Sequence, residues 1–325
     1  MTNLLVTGSI AIDRIAVFHD RFANHILPEK VHRLNVAFTV KNMTENFGGT
    51  GGNIAYNLSF LGEKPILLGA VGTDGRKYIT HLKKRKVDCT YIHKSKNKLT
   101  AHATVMTDMD DNQITAFYMG AMGEAHKSQI KNLNTAGSAA LSGACSGRHI
   151  EISLTIIAPN DTKAMVQYAD ECRKNKIRFI ADPGQSIPAL SAKELKDLIT
   201  GAHILVCNDY EWDLIQKKTG WVLLEILSKI NYLIVTYGEN GSKIWKQDAT
   251  VVDIPAVKPK ELIDPTGCGD AYRAGLMYGI SNDYSIEQSA SIGAWVAANA
   301  IEKAGTQNHK IKKSELKKFL IKLQK

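Results

Sequence analysis

Short runs of apolar, mostly β-branched residues recur along the chain, separated by longer stretches in which apolar residues return with a helical period. The runs at 4–7, 66–71, 155–158, 178–181, 204–207, 232–236 and 250–254 predict strands. The periodic stretches at 53–61, 76–86, 162–175, 192–200, 211–219, 223–230, 269–279, 286–301 and 314–325 predict helices. Strands alternating with helices point to an α/β fold on a doubly wound, mostly parallel sheet. The runs are continuously apolar rather than alternating, as a sheet requires when helices cover both faces.

Two segments break this rhythm. Residues 14–47 and 100–118 alternate apolar with polar positions and contain no helical stretch. In the second, Thr104-Val105-Met106-Thr107 and Gln113-Ile114-Thr115-Ala116-Phe117-Tyr118 flank a polar stretch from Asp108 to Asn112 that reads as a hairpin turn. The two segments predict a small antiparallel β-sheet beside the main one, serving as a lid within a single domain spanning 1–325. The small-residue stretch 135–147 reads as a loop or loose helix with no assigned role.

Composition narrows the class. A chain of 325 residues, 44% hydrophobic and 22% charged, has enough apolar material for a large core. No apolar run reaches the roughly 18 residues that a membrane span needs. The N-terminus enters the first predicted strand without the basic start and cleavage site of a signal peptide, so a cytoplasmic protein is expected and a membrane partner is not. The 5 cysteines include no Cys-x-x-Cys pair and the 10 histidines no His-Glu-x-x-His spacing, so neither a disulfide framework nor a zinc site follows. The net charge of +9 is concentrated around Lys83-Lys84-Arg85-Lys86 and in the tail 310–325. The tail reads as an amphipathic helix whose lysines form the wet face. No aromatic-rich RNA motif or recognition-helix pattern accompanies the charge, so nucleic acid is not the expected partner. ATP and a phosphorylated product also suit a mildly basic protein.

The strongest chemical signal is Asp264-Pro265-Thr266-Gly267-Cys268-Gly269-Asp270 at the head of an apolar helical run. Gly267 and Gly269 let the backbone turn tightly, and the N–H groups at a helix N-terminus hold an anion such as a transferring phosphoryl group. Asp270 in the first turn can take a proton from an attacking hydroxyl. A glycine turn followed by an acidic first-turn residue is also common in any α/β protein. A second glycine cluster, Gly48-Gly49-Thr50-Gly51-Gly52-Asn53, precedes another predicted helix, where Asn53 offers a donor and an acceptor to hydroxyls. It is neither a Walker A loop nor a dinucleotide turn. Asn208-Asp209-Tyr210-Glu211 follows one predicted strand and Thr236-Tyr237-Gly238-Glu239-Asn240-Gly241 another.

In this order the four elements resemble the ribokinase-like (PfkB) carbohydrate kinase family. Within it the chain is similar to the mycobacterial type of bacterial adenosine kinase, through Val6-Thr7-Gly8-Ser9-Ile10-Ala11, Asp13, Phe117-Tyr118, Ala181-Asp182-Pro183 and Gly305-Thr306-Gln307. The resemblance implies ATP-dependent transfer of phosphate to a primary hydroxyl of a nucleoside, adenosine to AMP first, or of a sugar. Asp270 would be the base, with Gly267, Cys268 and Gly269 forming the anion hole. Asp13 and Asn53 would grip the ribose hydroxyls, Gly49 would pass close to the sugar, and Ser9, Phe117 and Gln185 would lie near the base of the nucleoside. Asn208, Thr236, Gly238, Gly241 and Thr266 would bind ATP, and Glu211 would organise Mg²⁺ through water. Some members need K⁺, for which Asp264 and Thr266 offer oxygens. Ala103, Ser186 and Ala37 depart from the adenosine kinase pattern, where a phenylalanine, a glutamine and a serine are expected. Cys268 replaces the commonest alanine, and a helix N-terminus would favour its thiolate. The rival class is a nucleoside- or sugar-binding sensor without catalysis, against which the intact Asp270, Asn208 and Glu211 stand. A homodimer through lid strand edges is compatible with this family.

Overall fold

The computed structural model of the chain describes residues 3–110, 112–135 and 150–323. Most of the 135–147 stretch therefore lies outside the described residues. Eight strands form the main sheet, in spatial order Val251–Ile254, Ser242–Lys246, Tyr232–Thr236, Ile204–Asn208, Phe179–Ala181, Ile152–Ile157, Asn3–Thr7 and Ile66–Leu68. Neighbours from Tyr232–Thr236 to Ile66–Leu68 run parallel, and the other two strands are antiparallel. Alternate strand residues enter opposite layers. Leu205 and Cys207 pack with Met165, Tyr168 and Leu195 on one side, and Ile204 and Val206 with Ile54, Leu58 and Leu276 on the other. Each such buried side chain contributes about 1.5–3 kcal/mol.

The run at 66–71 divides at Gly69. A Cβ there would lie 2.8 Å from the Gly8 carbonyl oxygen. The chain leaves the main sheet at this point, and Ala70–Val71 pairs instead with His93–Lys94. The tail forms the helix Lys313–Leu323, with Leu316 buried and Phe319 stacked on Trp295 at 5.3 Å.

The small sheet has the order Asn42–Gly48, Ala11–Val17, Ala101–Thr107, Gln113–Tyr118. It is mixed rather than antiparallel, because Ala11–Val17 and Ala101–Thr107 run parallel. The chain leaves this sheet from Asn42–Gly48, antiparallel to Ala11–Val17, and passes through the helix Thr50–Leu61, the strand Ile66–Leu68 and the helix Arg76–Lys84 before re-entering on the other side of Ala11–Val17, parallel to it. Among the described residues no helix is long and apolar enough to cross a membrane.

Ligand chemistry concentrates where the strand order reverses. After Asn3–Thr7 the chain goes to one side, to Ile66–Leu68, and later returns to the other side at Ile152–Ile157. The loops after these strands meet: Ser9 N–H donates to Pro159 O (2.9 Å), and Thr50 Oγ1 donates to the same oxygen (3.0 Å).

Candidate active site

Gly267 caps the helix Cys268–Ser281 in the left-handed region, at φ 79°. A Cβ at this position would also meet Thr306 Cγ2 at 2.9 Å, so glycine is required on two counts. The first-turn N–H groups of a helix lack intrahelical acceptors and together attract an anion. Cys268 is a partial exception, since its N–H reaches Pro265 O at 3.2 Å. Asp264 staples the loop: Oδ1 accepts from Thr266 N (2.9 Å) and Oδ2 from Gly305 N (2.8 Å). Burial acts against its charge, but these bonds prevail and hold its carboxyl below the usual range.

Asp270 sits half-buried in the first turn. Burial, reinforced by the charges of Asp182 and Asp13, pushes its pKa up to about 7 against the hydrogen bond from Asn53 and the charge of Arg273. A carboxylate poised there suits proton abstraction near neutrality. Burial and the Asp270 charge push the Cys268 thiol up, opposite to the thiolate expected at a helix N-terminus. The desolvation and the adjacent carboxylate outweigh the helix dipole.

The second half of the candidate site is built on the Gly48–Gly49 turn, where the small sheet feeds the helix Thr50–Leu61. Gly49 has φ 83°, and a Cβ on it would lie 2.6 Å from Ser9 O. Ser9 Oγ accepts from Thr50 N at 3.0 Å, so Ser9 secures the helix start. Asn46, Asp13, Ala103 and Phe117 pair across the four strands in register, which puts their side chains on one face. Burial raises the pKa of Asp13. Asn53, from the first turn of Thr50–Leu61, donates through Nδ2 to Asp270 Oδ2 at 2.7 Å. Phe117 is 55% exposed, and Gln185 is exposed on the short turn Gly184–Ser186. Both stand outside the hydrogen bonding of the Asn53–Asp270 pair. Ser186 Oγ donates to Asn160 O at 3.4 Å, and Ala37 is exposed in the loop between the first two strands of the small sheet.

Where the strand Ile204–Asn208 meets the following helix, Asn208 and Glu211 form a reciprocal cap: Glu211 N donates to Asn208 Oδ1 (2.7 Å) and Asn208 N to Glu211 Oε2 (2.9 Å). Burial raises the pKa of Glu211. Thr236 ends its strand with Oγ1 on Cys207 O (3.4 Å), and the turn beyond it uses Gly238 and Gly241 at φ 57° and 86°. A Cβ at Gly241 would lie 2.2 Å from Ile254 O.

Residues outside the expected set complete the site. Arg273 is buried, binds Asp182 through two nitrogens, donates to Gly269 O at 3.2 Å and lies 3.9 Å from Glu211 Oε2. It links the helix Cys268–Ser281 to the Asn208–Glu211 element. The available signal was a charge inside an otherwise apolar helical run, Ala271-Tyr272-Arg273-Ala274. Gln307, Tyr78 and His81 lie behind Asn53; Gln307 stands in the Gly305-Thr306-Gln307 stretch of the resemblance without an assigned role, and Tyr78 and His81 carried no local signal.

A helix start whose first-turn N–H groups lack intrahelical acceptors, a carboxylate with its pKa raised to about 7 and a polar face of the small sheet meet at a sheet switch point, an arrangement suited to phosphoryl transfer on a ribokinase-like fold. Residues 1–313 match the pfkB family carbohydrate kinases, and the chain belongs to that family. It is 30% identical over 301 residues to a nucleoside kinase of Methanothermobacter thermautotrophicus, covering 91% of this chain and 92% of the relative. The structure of Burkholderia thailandensis nucleoside kinase in complex with inosine superposes with TM-score 0.81 at 35% identity, covering 98% of this chain and 97% of that one. The same kinase in complex with ADP-inosine gives 0.78 at 36%, covering 98% and 95%. Methanocaldococcus jannaschii nucleoside kinase gives 0.83 at 27%, covering 99% of each chain. The family expected from the motifs therefore holds. The narrower likeness to mycobacterial-type adenosine kinase gives way to a likeness to nucleoside kinases more broadly.

Proposed function

We propose that the protein is an ATP-dependent nucleoside kinase that phosphorylates a primary hydroxyl of purine nucleosides, adenosine to AMP among them. The observation that carries this is the 2.7 Å hydrogen bond from Asn53 to Asp270, which joins a hydroxyl-binding motif to a base 217 residues away. Asp13 accepts two ribose hydroxyls and Asn53 a third contact, which sets the primary hydroxyl against Asp270. Asp270 takes its proton as the hydroxyl attacks the γ-phosphorus and ADP leaves. The first-turn amides meet the charge building on the phosphoryl oxygens. The small sheet is the lid that excludes water.

The donor set fits Mg²⁺ held mainly by phosphates and water. Among the described residues no group of three or more His, Cys, Asp or Glu stands ready for a metal, and Glu211 offers a single half-buried carboxylate. When bound, the cation neutralises phosphate charge. K⁺ would belong beside Asp264 and Thr266. The inosine complex of the Burkholderia relative supports a base pocket that does not demand the 6-amino group of adenine. Ala103, between Asp13 and Phe117 in the lid row, leaves that pocket open. The edge strand Gln113–Tyr118 is where a homodimer would pair.

ADP release from Mg-ATP tests this with adenosine, inosine, guanosine, cytidine, ribose and fructose 6-phosphate, each with and without K⁺. Turnover with purine nucleosides is expected. Turnover only with ribose or the sugar phosphate moves the acceptor class, and silence throughout favours the non-catalytic sensor.

A further inference from the structure

Behind Asn53 lies a chain of hydrogen bonds whose polarity can be read from its far end. Tyr78 has one hydroxyl proton, and the Gly48 carbonyl, 2.6 Å away, can only accept. Tyr78 therefore donates there and must accept from Gln307 Nε2, its other close partner. The same Nε2 donates to Asn53 Oδ1 at 2.9 Å. The opposite end of that amide, Oε1, faces His81 Nε2 at 3.1 Å, so His81 carries its proton on Nε2. Every hydrogen-bonding direction of Gln307 is thereby fixed. Because Asn53 Oδ1 is taken as an acceptor, Nδ2 is the end that faces Asp270.

The glycine cluster makes room for this chain. A Cβ at Gly52 would lie 2.1 Å from the Tyr78 hydroxyl and 3.3 Å from Gln307 Nε2. Tyr78 is held in place by Phe47, stacked at 4.5 Å, and is fully buried. One of the four glycines around Asn53 thus serves the relay behind it.

We propose that Gln307, fixed by Tyr78 and His81, is a positioning residue that sets which end of the Asn53 amide meets Asp270 and so aims the catalytic carboxylate. This rests on the reading of Asp270 as the base. With Nδ2 inward, one Asp270 oxygen is held as an ionised acceptor and the other is left for the acceptor hydroxyl. With the amide reversed, Asn53 Oδ1 would confront the carboxylate, and Asp270 would keep its proton. The other charged or titratable groups around Asp270 are Asp13 on the small sheet, Asp182 after Phe179–Ala181, Arg273 and Cys268 on its own helix, and Tyr78. None of them replaces the amide donor.

The test compares Gln307→Glu, Gln307→Met, Tyr78→Phe and Asp270→Asn by kcat, KM and the pH profile of kcat. A glutamate has only acceptors to offer and draws Asn53 Nδ2 to itself. Gln307→Glu is therefore expected to be worse than Gln307→Met despite its closer shape. Loss of a hydrogen bond to a charged group moves the acid limb of kcat to higher pH by about one to two units. Tyr78→Phe keeps the packing but loosens Gln307, so it is expected to move the limb in the same direction by less. ATP KM stays near wild type in all of these. If Gln307→Glu or Gln307→Met does not fold, Tyr78→Phe decides. Wild-type limbs in the folded Gln307 and Tyr78 variants, with Asp270→Asn inactive, overturn the relay alone. An active Asp270→Asn overturns the base assignment itself.

Discussion

Arg273 and Asp182 form a buried two-pronged pair, Nε to Oδ2 at 2.5 Å and Nη2 to Oδ1 at 2.7 Å, joining the second turn of the helix Cys268–Ser281 to the end of a central strand. Burial opposes the guanidinium charge, but Asp182 prevails and raises its pKa further. Removing one partner leaves an uncompensated buried charge. Arg273→Met is expected to lose about 3–5 kcal/mol of stability. Adding Asp182→Leu should restore much of it, as read by urea denaturation of both variants. A single variant as stable as the parent would show that the pair contributes no net stability.

Asp270→Asn is expected to cut kcat by about 100- to 10,000-fold while nucleoside binding persists. In the parent, kcat should fall with decreasing pH below about 7, because the carboxylate must be ionised. The stability effect has the opposite sense. A folded pKa above the unfolded value of about 3.9 means that the native state binds more protons between them, so the Asp270 contribution is lost as pH rises toward 7. The Asp270→Asn variant escapes this penalty. Its Tm should exceed that of the parent at pH 8, by about 2–4 °C per kcal/mol relieved, and the gap should close below pH 4. A Tm difference independent of pH would contradict the raised pKa.

The Cys268 thiol, pushed up by burial and by Asp270, is expected to alkylate slowly at pH 7 and faster above pH 9. Cys268→Ala should keep kcat within about threefold, as a small filler would. Rapid inactivation at pH 7 with protection by ATP would restore the thiolate reading.

In the lid row, Phe117 is the aromatic candidate for stacking the base. Phe117→Ala should raise nucleoside KM by about 5- to 150-fold, the worth of about 1–3 kcal/mol of stacking. Ala103→Phe should lower KM for purines and leave ribose unaffected. Equal KM values in parent and Phe117→Ala would remove Phe117 from the site.

The layers of the fold were legible because apolar runs such as 204–207 and 232–236 read as strands wherever they are buried on both faces. Ser242–Lys246 escaped because only Ser242 and Ile244 along it are buried, and two lysines masked the alternation. The chemistry-bearing glycines announced themselves through turns that need positive φ. Arg273 was hidden by the convention that charges point outward, which a buried carboxylate partner suspends. Gln307 was visible in the Gly305-Thr306-Gln307 stretch, but its role was hidden by distance: its partners at 53, 78 and 81 come from segments more than 220 residues away, and no local pattern encodes their meeting.

The bond from Thr306 Oγ1 to Phe47 O, 2.9 Å, ties the end of the strand Asn42–Gly48 to the segment at 305–307 that packs against the start of the helix Cys268–Ser281. Asp264 holds Gly305 on the other side, and Gly267 packs against Thr306. In the proposed reaction, a nucleoside drawing the small sheet inward would pull on this segment through the Thr306 bond and through the Gly48–Tyr78–Gln307 chain. In kinetic language, the acceptor would become a licence for the donor: the expected outcome is compulsory order of addition with little idle ATP hydrolysis, which product-inhibition patterns check.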